Sequence, residues 1–280
     1  MLPKLGILAG GGDLPPRLIA SCLSNGREIF VVAFDGQADP NILFKDSGPD
    51  VPHAWVRLGA AGKTLDLLKK SGATELVMAG SIKRPGFREL MPDLWATKFF
   101  AKTGAAALGD DGLLTALIKA LEGEGFSIVG IDELLPETRA PEGLFGCHQP
   151  STADADDIKI ALEAALEIGT QDIGQGAIAR AGVVIDREDA AGTDAMLARV
   201  SPLSPEGRSG VLVKVSKPGQ DKRVDLPSIG VHTVRAAAAA GLRGIAVQGG
   251  AALVISYDDV VVAADACGLF VIGIKPEQYS

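Results

Sequence analysis

The strongest constraint on this chain is a repeated alternation: a short apolar run that ends in glycine or polar residues, followed by an amphipathic stretch. Lys4 to Ala9 (KLGILA) runs into Gly10-Gly11-Gly12. Pro15-Pro16 then falls in the first turn of a helix, where proline is tolerated. That helix is predicted to turn Leu18, Ile19, Cys22 and Leu23 inward and to stop at Asn25-Gly26. Glu28–Phe34, Ala54–Leu58 and Glu75–Ala79 read as further strands, with a helix over Ala61–Lys70. Strands and helices alternating at this spacing indicate βαβ units around a parallel sheet. Pro85–Lys102 reads as one helix carrying Phe87, Leu90, Met91, Leu94, Trp95, Phe99 and Phe100. It suits a core or domain-contact helix, or a wall for acyl chains or a shallow membrane contact. Asp110–Glu122 reads as a helix and Phe126–Ile131 as a strand.

The breaker-rich stretch Leu135 to Gly143 marks a connection, after which the alternation resumes. Helices are expected at Ala153–Ile168, Thr193–Val200, Val231–Ala240 and Val260–Cys267. Strands are expected at Ala177–Ile185, Val211–Val215, Gly244–Gln248, Leu253–Ser256 and Phe270–Ile274. The predicted architecture is α/β with two domains: an N-terminal Rossmann-like parallel sheet over 1–133, a connection over 134–150, and a C-terminal α/β catalytic domain over 151–280.

A net charge of −8 argues against a nucleic-acid binder, whose affinity rests on a basic footprint. No apolar run reaches the length of a membrane span, and the start has no signal-peptide layout. Cys22, Cys147 and Cys267 are widely spaced and form neither a zinc pattern nor a disulfide framework, so a cytoplasmic location is expected.

Several motifs carry chemistry. Gly10-Gly11-Gly12-Asp13 fails as a dinucleotide fingerprint, since a G-x-G-x-x-G start at Gly10 places its third glycine at Pro15. Gly11, Gly12 and Asp13 still suit a phosphate or nucleotide at a helix N-terminus, beside the plainer reading of a tight turn. Gly59 to Thr64 lacks the first glycine of a phosphate-binding loop, because Arg57 stands there. Gly80-Ser81-Ile82-Lys83-Arg84-Pro85 follows a predicted parallel strand, where ligands of open sheets gather. Gly80, Ser81 and Lys83 combine backbone, hydroxyl and cationic donors for a phosphate. Gln171, Asp172 and Gln175 place amides and a carboxylate around Gly174, either to read uracil or sugar hydroxyls or as part of a helix cap. Asp110-Asp111, Asp154, Asp156 and Asp157 read as helix-start acids, with a lesser metal reading for the first pair. Cys147-His148 has no acid partner in its sequence neighbourhood.

The densest constellation is Lys214 to Gly230, with four cations and two carboxylates in its first twelve residues. Pro218-Gly219 forces a turn, and Pro227 restricts the residue before it, so Asp225 lies in a stiffened loop. Lys217, Gln220 and Arg223 are candidate substrate ligands, and Asp221 and Asp225 candidate metal ligands.

Taken together, Gly6 to Pro15, Gly80 to Pro85, Gln171 to Gln175, Lys217 to Asp221 and Asp225-Leu226-Pro227-Ser228-Ile229-Gly230 resemble the LpxI family. The resemblance spans nearly the whole chain. It implies Mg²⁺-dependent hydrolysis of UDP-2,3-diacylglucosamine to UMP and 2,3-diacylglucosamine 1-phosphate, a step of lipid A synthesis in Gram-negative bacteria. It implies that Asp225 is essential, and it places the enzyme on the cytosolic face of the inner membrane. A substrate cleft between the two lobes is expected; a homodimer is left open. The competing reading is a non-catalytic nucleotide-sugar binding protein.

Overall fold

The computed structural model describes residues 2–45, 50–83, 90–104, 110–200, 207–219, 221 and 223–279, with backbone alone for Asp110 and Asp111. The chain divides into two compact units, Met1–Pro136 and Glu137–Ser280.

The first unit holds a five-stranded sheet of order β3-β2-β1-β4-β5, from β1 (Leu5–Ala9), β2 (Ile29–Phe34), β3 (His53–Val56), β4 (Glu75–Ala79) and β5 (Ser127–Ile128). Every pairing in it is parallel. β1 is buried at all five positions, as expected of a strand covered on both faces. The helices are α1 (Leu14–Ser24), α2 (Pro40–Leu43), α3 (Ala61–Ser71), α4 (Leu94–Thr103), α5 (Asp110–Gly123) and α6 (Ile131–Leu134). The chain reverses direction across the sheet between β1 and β4, so the loops after these strands flank the switch point where open sheets bind ligands.

Three expectations for this unit change. Leu23, read as inward, is 40% exposed, because only one stripe of α1 meets the sheet. The single helix over Pro85–Lys102 does not form. Residues 84–89 lie outside the described ones, Met91 has φ 44°, and the helix starts only at Leu94, where Asp93 accepts from the Ala96 N–H. The strand expected over Phe126–Ile131 pairs only at Ser127–Ile128, and Ile131 opens α6.

The second unit holds a six-stranded sheet of order β6-β13-β11-β9-β7-β8 and a two-stranded β10-β12 ribbon. The strands are β6 (Gly143–Phe145), β7 (Gly176–Arg180), β8 (Val183–Arg187), β9 (Val211–Lys214), β10 (Ser228–Ile229), β11 (Gly244–Gln248), β12 (Leu253–Val254) and β13 (Phe270–Ile274). β9, β11 and β13 run parallel, with β6 and β7 antiparallel to their neighbours. Side chains alternate between two cores, as strand geometry requires. Ile178, Leu212, Ile245 and Val247 pack on one face against α8 (Gly192–Arg199), α9 (Val231–Ala239) and α10 (Tyr257–Cys267). Ala177, Val211, Val213 and Ala246 pack on the other against α7 (Thr152–Thr170). The segment 134–150, expected as a connection, supplies β6 to the edge of this sheet.

The strand expected over Ala177–Ile185 is a hairpin. Ala181 (φ 52°) and Gly182 (φ 80°) turn the chain, in the backbone region that tight hairpins need. The buried carboxylate of Asp157 accepts from both turn N–H groups, at 3.2 and 2.8 Å, so this acid ties the turn to α7. Among the described residues, no helix is long and apolar enough to cross a membrane.

Candidate active site

In the first unit, the loops after β1 and β4 are stitched together by backbone. The Gly11 N–H donates to the Ser81 carbonyl at 2.8 Å, and the Ser81 N–H to the Gly11 carbonyl at 3.0 Å. Gly80 has φ 90°, and a Cβ there would stand 2.4 Å from the Gly11 carbonyl oxygen, so only glycine permits the approach. The loop after β2 joins them: the Gln37 amide accepts from the Lys83 N–H (2.7 Å) and donates to its carbonyl (3.2 Å). Lys83 is exposed beside this seam. Asp13 precedes α1 without capping it through its side chain. Pro15 and Pro16 carry no N–H, so the first turn of α1 loses two of its four outward donors. Any anion here depends on the glycine turn rather than on a full helix N-terminus.

In the second unit, the loop after β9 begins with a buried cation. Lys214, 5% exposed, extends its Nζ to the Ser228 carbonyl at 3.2 Å, fastening the start of the loop to β10. Ser216 fixes the next residue: its N–H donates to Gln248 Oε1 (3.0 Å) and its hydroxyl to the Ala251 carbonyl (2.7 Å). Lys217, 9% exposed, donates to Asp172 Oδ1 at 2.8 Å, and Asp225 Oδ2 stands 4.0 Å from the same Nζ. At Gly169 this segment lies close against α7: a Cβ there would stand 3.3 Å from Pro218 Cδ, tighter than usual. Burying an ammonium without partners costs several kcal/mol, so the carboxylates beside it are a condition of its burial.

Asp172 is aimed by backbone. It follows the C-terminus of α7 with φ 54°, a left-handed conformation that Asp tolerates better than most residues. Gly174, read as a possible helix cap, instead serves close approach: a Cβ there would stand 2.6 Å from the Glu188 carbonyl oxygen. Glu188, 7% exposed, accepts from the Gln175 N–H (3.1 Å) and the Thr193 hydroxyl (2.6 Å). The Gln175 side-chain oxygen is buried with no hydrogen-bond partner among the described residues. An orphaned acceptor of this kind costs about 1–3 kcal/mol.

The remaining candidates separate. Asp221 is engaged by Arg223 through both oxygens, with Nε at 2.9 Å from Oδ1 and Nη2 at 2.6 Å from Oδ2. The guanidinium holds the Asp221 carboxyl below its ordinary value. An acid committed to a fork of this kind is poorly placed to ligate a metal as well, which departs from its expected role. The exposed Gln171 bends its amide back to the Glu167 carbonyl at 3.4 Å, onto its own helix. Gln220 lies outside the described residues. The structure thus brings Asp172, Lys217 and Asp225 together. It adds Glu188, which sequence reasoning did not single out, and it gives Lys214, the first cation of the densest constellation, a buried place bonded to Ser228. Glu188 sits in the charged run Asp186-Arg187-Glu188-Asp189, which gives no local sign of burial.

The class defined by these features is a two-unit α/β protein whose second unit sets a buried lysine between carboxylates on a proline-stiffened loop. Family models sharpen it: the LpxI N-terminal domain matches residues 4–138 and the LpxI C-terminal domain residues 141–272. The chain is also 42% identical to the UDP-2,3-diacylglucosamine pyrophosphatase LpxI of Caulobacter vibrioides, over 98% of this chain and 99% of that one. The chain belongs to the LpxI family. Among solved structures it aligns with a Thermus thermophilus UDP-glucose 4-epimerase in complex with NAD (14% identity, TM-score 0.34, 99% of this chain and 91% of that one). It also aligns with the CobK precorrin-6A reductase (14% identity, TM-score 0.29, 98% and 88%). Neither likeness bears on the function of this chain.

Proposed function

We propose that this protein hydrolyses the pyrophosphate of UDP-2,3-diacylglucosamine, releasing UMP and 2,3-diacylglucosamine 1-phosphate for lipid A synthesis. The observation that carries the chemistry is the cluster of Lys217, Asp172 and Asp225; the substrate follows from the full-length likeness to the Caulobacter enzyme of that name. Water attack on a pyrophosphate diester needs an orienting carboxylate and positive charge on the oxygens that gain charge. Lys217, pre-aimed by Asp172, meets a phosphate oxygen. Arg223 meets another, with Asp221 holding its guanidinium in place.

Mg²⁺ fits the donor set. It is commonly held by one or two carboxylates together with substrate phosphate oxygens, and Asp225 offers a hard oxygen next to a phosphate-directed cation. Bound by Asp225, the ion would stabilise charge on the pyrophosphate. Because the substrate is acylated, we place the protein at the cytosolic face of the inner membrane. Leu94 and Met91, 81% and 62% exposed in the first unit, supply apolar surface for that contact.

The test is incubation of the purified protein with UDP-2,3-diacylglucosamine. UMP should appear with Mg²⁺, vanish with chelator and return on adding Mg²⁺. Binding without UMP release would instead mark a nucleotide-sugar binding protein.

A further inference from the structure

We propose that Cys147, His148 and Asp265 form a binding site for a divalent transition-metal ion, with zinc the best match. One ligand atom from each lies within 4.8 Å of the others, and no other group of three such side chains stands together among the described residues. Tetrahedral zinc, with bonds of about 2.0–2.3 Å, sets its ligand atoms about 3.5 Å apart, so the three groups need close by only about 1 Å. The set is mixed: a thiol, an imidazole and a carboxylate. Such softness selects zinc, cobalt or nickel over Mg²⁺, which separates this site from the one proposed at Asp225.

The frame that holds the three groups is already built. Cys147 and His148 follow β6, whereas Asp265 lies in the last turn of α10. The Cys147 N–H donates to Asp265 Oδ1 at 2.8 Å. Gly146 has φ 88°, a backbone conformation that favours glycine, and it turns the loop against the carboxylate. The imidazole is oriented from the same residue, with His148 Nε2 at 3.3 Å from the Asp265 carbonyl, the outer contact usual for a metal-binding histidine.

Cys147 is exposed, so an ion can enter. The bound ion would fasten the end of β6 to α10.

Cobalt titration of the untagged, full-length protein tests this. One Co²⁺ per chain should bind with a near-ultraviolet thiolate-to-cobalt band that Zn²⁺ displaces. Cys147→Ser, at an exposed position that tolerates the change, should abolish the band, and Asp265→Asn should weaken affinity by roughly tenfold or more. Zinc should also raise the Tm of the wild type by roughly 5 °C at saturating concentrations, and leave Cys147→Ser unmoved. Absence of the band, its survival in Cys147→Ser through Cys22 or Cys267, or undiminished affinity in Asp265→Asn would each overturn the proposal.

Discussion

Each unit ends its central strands in a polar loop cluster, but the two clusters are made from different materials. In the first unit the seam between Gly10–Asp13, Gln37 and Gly80–Lys83 is backbone and amide, with its cation Lys83 left in solvent. In the second, Lys214, Lys217 and Glu188 are buried, and each is held by a named partner. The contrast assigns the two clusters different work. A backbone cradle can accept the shape of a ligand without carrying charge through a reaction. Buried charges in a site of low polarity interact far more strongly than the same charges in water, and that suits phosphate chemistry.

The contrast predicts opposite sensitivities. Lys217→Met should lower kcat by roughly 10²–10³ with the fold intact, whereas Lys83→Met should at most raise KM a few-fold; steady-state kinetics with a thermal melt separates them. Equal losses would break the distinction. In the first unit shape should matter most. Gly80→Ala combines φ 90° with a backbone clash and should cost about 3 kcal/mol in urea unfolding. Gly12→Ala, at φ 88° but with open space around it, should cost about 1 kcal/mol.

The smallest effect concerns Asp221. Its folded pKa is depressed below the ordinary 3.8 by Arg223. The stabilisation from this pair is therefore complete above the unfolded value and is lost as pH falls through the folded one. Asp221→Asn should cost about 0.5 kcal/mol near neutrality, with the difference from wild type disappearing in acid. A loss that persists in acid would mean the residue acts by packing rather than charge.

The sheet strands were the most legible part of the sequence. β1, β4, β11 and β13 are continuous apolar runs closed by glycine or polar residues, the pattern of parallel strands buried on both faces. The β7–β8 hairpin was not legible, because Val183-Val184-Ile185 prolongs the apolar run and the break at Ala181-Gly182 is held by Asp157, distant in sequence. Prolines on either side drew attention to Lys217 and Asp225. Gln171 and Gln175 looked equivalent, yet one bends back onto its own helix and the other buries an oxygen; the backbone of the second is held by Glu188, just beyond the end of β8. Cys147-His148 lacked an acid partner for a similar reason: Asp265 is 118 positions away.

Asp225 is assigned to the chemical step, beside a lysine that other contacts hold in place. Asp225→Asn should be assayed for both substrate affinity and single-turnover UMP release in Mg²⁺. The account predicts a Kd within a few-fold of wild type and release slowed by roughly 10³ or more. Turnover within tenfold of wild type would contradict it.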